Sequence, residues 1–296
     1  MRVASLLPAA TEIVAALGAE ECLVGISHEC DYPLAIADRP RLTWSPIETE
    51  RASAEIDEQV RRLRDSGRPV IAVDGLALRA AKPDLVLTQD LCDVCAVIDG
   101  EVRDLAAAID PPPTLLPLTG RTLEGIFSDI RSVAAALRRE RAAVDLVAGL
   151  QSQLTALAAR PACPVTRVLV VEWLEPLYLG GHWVPELVHW AGGRDVGAEP
   201  GTHSARSRWT DLAALEPQLI LLALCGFGLE RATTEWRRFL ASDSAEARAA
   251  AALTAPVWAL DGNAFTSRPG PRVVRGAELI AKALEGVEAV GLARLA

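Results

Sequence analysis

The sequence is short of three things, and each shortage closes off a class of function. Half of its 296 residues are hydrophobic, yet no stretch approaches the ~18 uninterrupted apolar residues of a membrane span. Insertion in a membrane is not expected. Positive charge is also scarce: 30 Lys and Arg stand against 39 Asp and Glu, a net charge of -9, and no basic run offsets that balance. A partner bound through nucleic-acid phosphates would need the reverse, so no nucleic acid is expected. Finally, the chain has no G-x-x-x-x-G-K phosphate loop, no G-x-S-x-G elbow and no H-E-x-x-H helix. With none of these, a non-enzymatic protein is expected, and an enzyme acting on a bound ligand is the weakest of three readings.

Six cysteines are present, but a chain of this size builds a core without disulfide staples, and they are read as mostly reduced. The opening MRVASLLPAATEIVAALG looks superficially like a signal peptide, with Arg2 before an apolar stretch. Pro8, Thr11 and Glu12 interrupt that stretch early. A strand over Val3 to Leu7 and a helix entered near Ala10 and closed by Gly18 fit better. A cytoplasmic location is expected on these grounds.

What the chain does have is one repeated unit. In KPDLVLTQDLCDVC, Lys82 to Cys95, and in EPQLILLALCG, Glu216 to Gly226, a short helical pattern meets a proline, and a run of branched apolar residues then leads to a cysteine. The runs Leu85 to Leu87 and Leu219 to Leu222 do not alternate with polar residues. They read as parallel strands covered on both faces. Further strands are expected at Leu23 to Ile26, Pro69 to Val73, Arg167 to Val171 and Val257 to Leu260, with helices between them, the pattern of an α/β fold with parallel sheets.

Between Thr122 and about Ala159 apolar residues recur every three or four positions with no proline or turn cluster. One long connecting helix is expected there in preference to two helices breaking near Arg139 to Ala142. The domains are then an α/β lobe over 1–120, a connecting helix over 121–160 and a second α/β lobe over 161–296.

Residues just past the carboxyl ends of parallel strands face the crevice where open α/β sheets bind ligands. That criterion selects the loop His28-Glu29-Cys30-Asp31, the pair Cys92 and Cys95, the stretch Glu172 to Glu175, Gly180-Gly181-His182-Trp183, Cys225, and the loop carrying Phe265 and Arg268. A metal set drawn from His28, Cys30, Cys92, Cys95, His182 and Cys225 would favour zinc, iron or an iron–sulfur cluster over magnesium or calcium. Cys22 and Cys163 are read as plain buried thiols. A redox role for Cys92 and Cys95 ranks below a metal site, because Asp90 and Asp93 would oppose thiolate formation. Trp44, Trp173, Trp183 and Trp209 fall on expected loops, where flat rings suit a macrocycle, and Arg268 offers a planar fork to an anionic or amide group.

Several motifs occur in an order that resembles the helix-hinged (class III) substrate-binding proteins of ABC transporters, and within them the vitamin B12-binding proteins. They are Pro8-Ala9-Ala10-Thr11-Glu12, Val24-Gly25-Ile26-Ser27 with Asp31-Tyr32-Pro33, Lys82-Pro83-Asp84-Leu85-Val86, Ala191-Gly192-Gly193, and Ser267-Arg268-Pro269-Gly270-Pro271-Arg272. The likeness runs over nearly the whole chain. It implies two lobes on a connecting helix and a small-molecule ligand held between them, cobalamin or a related corrinoid. The chemistry of the expected loops selects His28, Asp31, Trp44, Cys92, Trp173, His182, Trp183, Cys225, Phe265 and Arg268 as the residues to contact it. The likeness also implies docking on a permease through an acidic residue of each lobe, for which Asp57 or Glu58 and Asp211 stand near the matching places. The expected cytoplasmic location argues against that encounter.

Overall fold

The computed structural model of the protein describes residues 1–89, 99–160 and 165–295. Two compact units share the chain. Unit 1 comprises Met1–Thr49 and Glu58–Gly149, and unit 2 comprises Glu50–Asp57 and Leu150–Ala296.

The elements of the first part of the chain are β1 (Val3–Ser5), α1 (Pro8–Ala16), β2 (Leu23–Gly25), β3 (Thr43–Trp44), α2 (Ser53–Asp65), β4 (Ala72–Val73), α3 (Gly75–Ala81), β5 (Leu85–Gln89), α4 (Asp99–Ala107), β6 (Thr114–Leu118), α5 (Leu123–Leu137) and α6 (Glu140–Ala158). In unit 1, four strands form a parallel sheet in the order β2-β1-β5-β6. Leu85, Val86 and Leu87 are all buried, as a strand covered on both faces requires. On one side Ala4 and Val86 of the sheet pack with Leu42, Ile71, Val73, Leu78 and Val102.

Two expectations fail in this half. The segment Pro69 to Val73 does not join the parallel array. Only Ala72–Val73 is extended, and it pairs antiparallel with β3 in a separate two-stranded ribbon. The single connecting helix over 121–160 is two helices. Arg138 takes left-handed dihedrals (φ 56°, ψ 45°) and ends α5, its N–H and that of Arg139 reaching back to the carbonyls of Ala135 and Ala134. Apolar periodicity continues across this point because both helices bury a stripe, so the hydrophobic pattern alone did not show the break.

The remaining elements are β7 (Thr166–Trp173), β8 (Tyr178–Leu179), α7 (Val184–Trp190), β9 (Gly193–Asp195), β10 (Leu219–Leu222), α8 (Leu229–Ala241), α9 (Ala245–Ala251), β11 (Val257–Leu260), α10 (Gly262–Phe265), α11 (Val273–Leu284) and β12 (Leu292–Arg294). Unit 2 holds a six-stranded sheet ordered β12-β11-β10-β7-β8, with β9 pairing β7 beside β8. The inner pairs β7–β10, β10–β11 and β7–β9 are parallel, while β8 and β12 close the two sides antiparallel. Its core includes a cluster of Trp209, Trp236 and Phe239, with ring centroids 5.4–5.7 Å apart.

In each sheet the strand order reverses at one place. In unit 1 this lies between β1 and β5, where Leu6 N–H donates to Leu87 C=O, and in unit 2 between β7 and β10, where Cys225 N–H donates to Glu172 C=O. Loops that part at such a point leave room for a ligand at the carboxyl edge.

Candidate functional site

In unit 1 the loop leaving β2 carries Ser27, His28, Cys30 and Asp31. Ser27 is buried and its Oγ lies 2.9 Å from Thr43 Oγ1 on β3. The same threonine oxygen accepts the backbone N–H of His28 at 3.0 Å and sits 2.7 Å from its ring Nδ1, so one hydroxyl fixes both backbone and ring. Burial pushes His28 below its ordinary pKa; Glu29 opposes this and Arg41 adds to it. Cys30 is buried, its Sγ 3.1 Å from Thr11 Oγ1. Arg41 ties the loop down by donating to the carbonyls of Ser27 and Cys30. Asp31 is exposed. Trp44 is half exposed, and alternation along β3 sets it on the opposite face from the Thr43 hydroxyl that holds His28. Cys92 and Cys95 lie outside the described residues.

In unit 2 the neighbouring ends of β7 and β10 gather Glu172, Trp173, Cys225 and Phe227. The Trp173 ring meets Phe227 edge-on at 5.2 Å, and the Arg231 guanidinium stacks 4.0 Å over the other ring system of this pair, that of Phe227. Glu172 Oε2 accepts from Ser204 Oγ at 2.5 Å. Glu175 has a raised pKa, through burial first and then the charges of Glu235 and Glu246. Cys225 is partly buried, and the following N–H, on Gly226, donates to Ser267 Oγ.

Gly181 explains how His182 is placed. A Cβ there would come 2.5 Å from Ser204 N and 2.8 Å from Thr202 O, so only glycine lets the 202–204 loop lie against this turn. His182 follows with φ +55°, its N–H donating to Thr202 C=O and its own carbonyl accepting from Gly201 N–H. The His203 ring stands 5.3 Å from that of His182. Trp183, by contrast, is buried and donates its ring N–H to Thr266 C=O; it belongs to the core, as does Trp209. Phe265 is partly buried, with the Arg272 guanidinium 5.8 Å from its ring centre. Arg268 is buried and donates to Asn263 Oδ1 at 3.0 Å.

Within unit 2, then, Trp173 and Cys225 sit on adjoining strand ends, and His182 sits on the turn braced by residues 202–204. Within unit 1, His28 and Cys30 share a loop but are held by different hydroxyls. No three His, Cys, Asp or Glu side chains converge as a metal set among the described residues. Sequence reading passed over Thr43, Ser204, His203, Phe227 and Arg231. The one signal for Phe227 was its place two residues past Cys225; nothing local marked the others. A surface groove of about 490 Å³ beside the start of α8, lined by Glu50, Arg231, Glu235 and Arg238 among others, involves none of the residues singled out from sequence.

Residues 3–261 match the periplasmic binding protein family. The chain belongs to that family. It is a solute-binding protein and not an enzyme. Solved structures share the fold over 95% or more of its length: a periplasmic heme-binding protein from Pseudomonas aeruginosa (18% identity, 100% of this chain and 98% of that one, TM-score 0.73), the periplasmic vitamin B12-binding protein BtuF of Vibrio cholerae (22%, 96% and 96%, 0.63) and an ABC transporter substrate-binding protein from Listeria monocytogenes EGD-e (19%, 95% and 97%, 0.65). No curated protein matches the chain. Membership of the periplasmic binding protein family, with neighbours that are themselves periplasmic, overturns the expected cytoplasmic location and points outside the cytoplasm. Mostly reduced cysteines and an interrupted apolar opening were too weak a basis for that expectation. No helix among the described residues is long and apolar enough to cross a membrane.

Proposed function

We propose that this periplasmic binding protein captures a metal-bearing planar macrocycle, a corrinoid in the first instance and heme as the other member of the class, for an ABC-transporter permease. The observation that carries the reading is at the unit 2 strand ends: the partly exposed Trp173 ring, set edge-on by the buried Phe227 with Arg231 over it, follows Glu172, whose carboxylate holds Ser204 of the loop that braces His182. The flat Trp173 ring offers stacking area to a macrocycle and imidazole offers nitrogen to its metal. The fold likeness to proteins described as heme-binding and vitamin B12-binding supports the same reading.

Titration of the purified protein with cyanocobalamin and with hemin tests it. A saturable shift of the visible bands, with matching heat in calorimetry, is expected for at least one. If neither ligand gives a shift or heat, the proposal fails.

A further inference from the structure

Hydrogen-bond bookkeeping around His28 decides which ring nitrogen carries the proton. A threonine hydroxyl has one proton and two lone pairs. One lone pair of Thr43 Oγ1 takes the His28 backbone N–H at 3.0 Å. Ser27 Oγ already accepts the Glu29 N–H at 3.3 Å, and its side chain is 1% exposed, so its own proton finds its acceptor in Thr43 Oγ1 at 2.9 Å. Those two donors fill Thr43. Its proton therefore lies on the 2.7 Å line to His28 Nδ1, which must accept. A ring protonated on Nδ1, neutral or cationic, would strand the Ser27 proton in a buried place without an acceptor.

Cys30 is held by a second relay running the same way. Ser5 Oγ donates to Leu7 C=O at 3.0 Å and Thr11 Oγ1 donates to Ser5 Oγ at 2.8 Å, which leaves Thr11 to accept from the Cys30 thiol at 3.1 Å.

We infer that the loop after β2 is a hydrogen-bond donor site: His28 presents Nε2–H to an oxygen acceptor on the ligand, a carboxylate or amide carbonyl, and does not bind its metal. The choice of ligand group rests on the macrocycle reading above; the tautomer does not.

Long-range ¹H–¹⁵N spectra of the ligand-free, histidine-labelled protein test the tautomer, with His28 assigned by the signal lost in His28→Gln. The Nε2–H pattern is expected at pH 7.5. Ser27→Ala should admit a mixture of tautomers, because Thr43 then has a lone pair to spare. An Nδ1–H ring or an imidazolium in the wild type overturns the inference. With hemin and cyanocobalamin as probes, His28→Gln, which retains a donor, should bind within about threefold of wild type, whereas His28→Leu should lose about tenfold or more. Neither change should alter the visible spectrum of the metal; loss of an axial-ligand band in His28→Gln overturns the inference too. If wild type binds neither probe, the macrocycle reading falls and the NMR result alone decides the tautomer.

Discussion

Among the described residues, none donates to one carboxyl oxygen of Asp195. Its Oδ1 accepts the N–H groups of Gly197 and Ala198 at 2.8 and 3.2 Å, while Oδ2 is buried without a partner. Burial lifts the pKa to about 7; the two N–H bonds oppose this and Glu199 adds to it. The folded state therefore keeps a proton that the unfolded chain releases near pH 4, so this group's contribution to stability is full below that pH and is lost as pH rises towards 7. Asp195→Asn cannot ionise. Between pH 5 and pH 8 the variant should gain ~1–3 kcal/mol on the wild type, read as the change in their urea-unfolding difference; a shift in the wild type's favour would refute the account. Gly181 makes a steric prediction of the same scale. In Gly181→Ala the new methyl meets backbone of residues 202–204, which cannot rotate aside, so a loss of ~1–3 kcal/mol is expected in thermal or urea unfolding. A variant as stable as wild type would mean the 202–204 loop does not brace His182.

At the scale of elements, what the sequence showed depended on how each element buries itself. Strands β5, β7, β10 and β11 were legible because unbroken apolar runs of that length suit a strand covered on both sides. Helix α11 buries a wide apolar face between Val273 and Ala283, the kind of stripe a helical period shows. Helix α8 shows less of a period, since it buries only a narrow stripe at Ala232, Glu235, Trp236 and Phe239 and is mostly polar elsewhere. The two- and three-residue strands β8, β9 and β12 are too short for any period to show. The break between α5 and α6 was hidden because an arginine occupies the left-handed position where glycine is usual. That choice has a measurable cost. Arg138→Gly should raise stability by about 1 kcal/mol, and the β-branched Arg138→Ile should lower it, with the helix content by circular dichroism unchanged in both. If glycine proves destabilising, Arg138 is held by something other than its backbone conformation.

For the molecule as a whole, the family could be read from ordered motifs, but the packing of each side chain at the strand ends could not. Trp173 and Trp183 look alike in sequence. One meets Phe227 at the strand ends and the other turns inward to the Thr266 carbonyl, a difference set by residues more than fifty positions away. The division of the chain was equally out of reach, because it depends on eight residues in a polar stretch. Glu50–Asp57 belongs with unit 2 although most of the sequence around it belongs to unit 1. Ser53 N–H donates at 2.6 Å to Glu235, a carboxylate only 4% exposed, and Arg231 donates to Arg51 C=O and pairs with Glu50. A fragment of residues 150–296 would keep Arg238, at 3.4 Å, but lose the Ser53 N–H as a partner of Glu235. It should therefore be less stable by ~1–3 kcal/mol than the same fragment saturated with a peptide of residues 50–65, because removing one partner leaves a buried charge short of a donor. A rise in melting temperature on adding that peptide, abolished by Glu235→Gln in the fragment, is the expected result. A fragment whose melting ignores the peptide would show that the segment merely lies against unit 2 without supporting it.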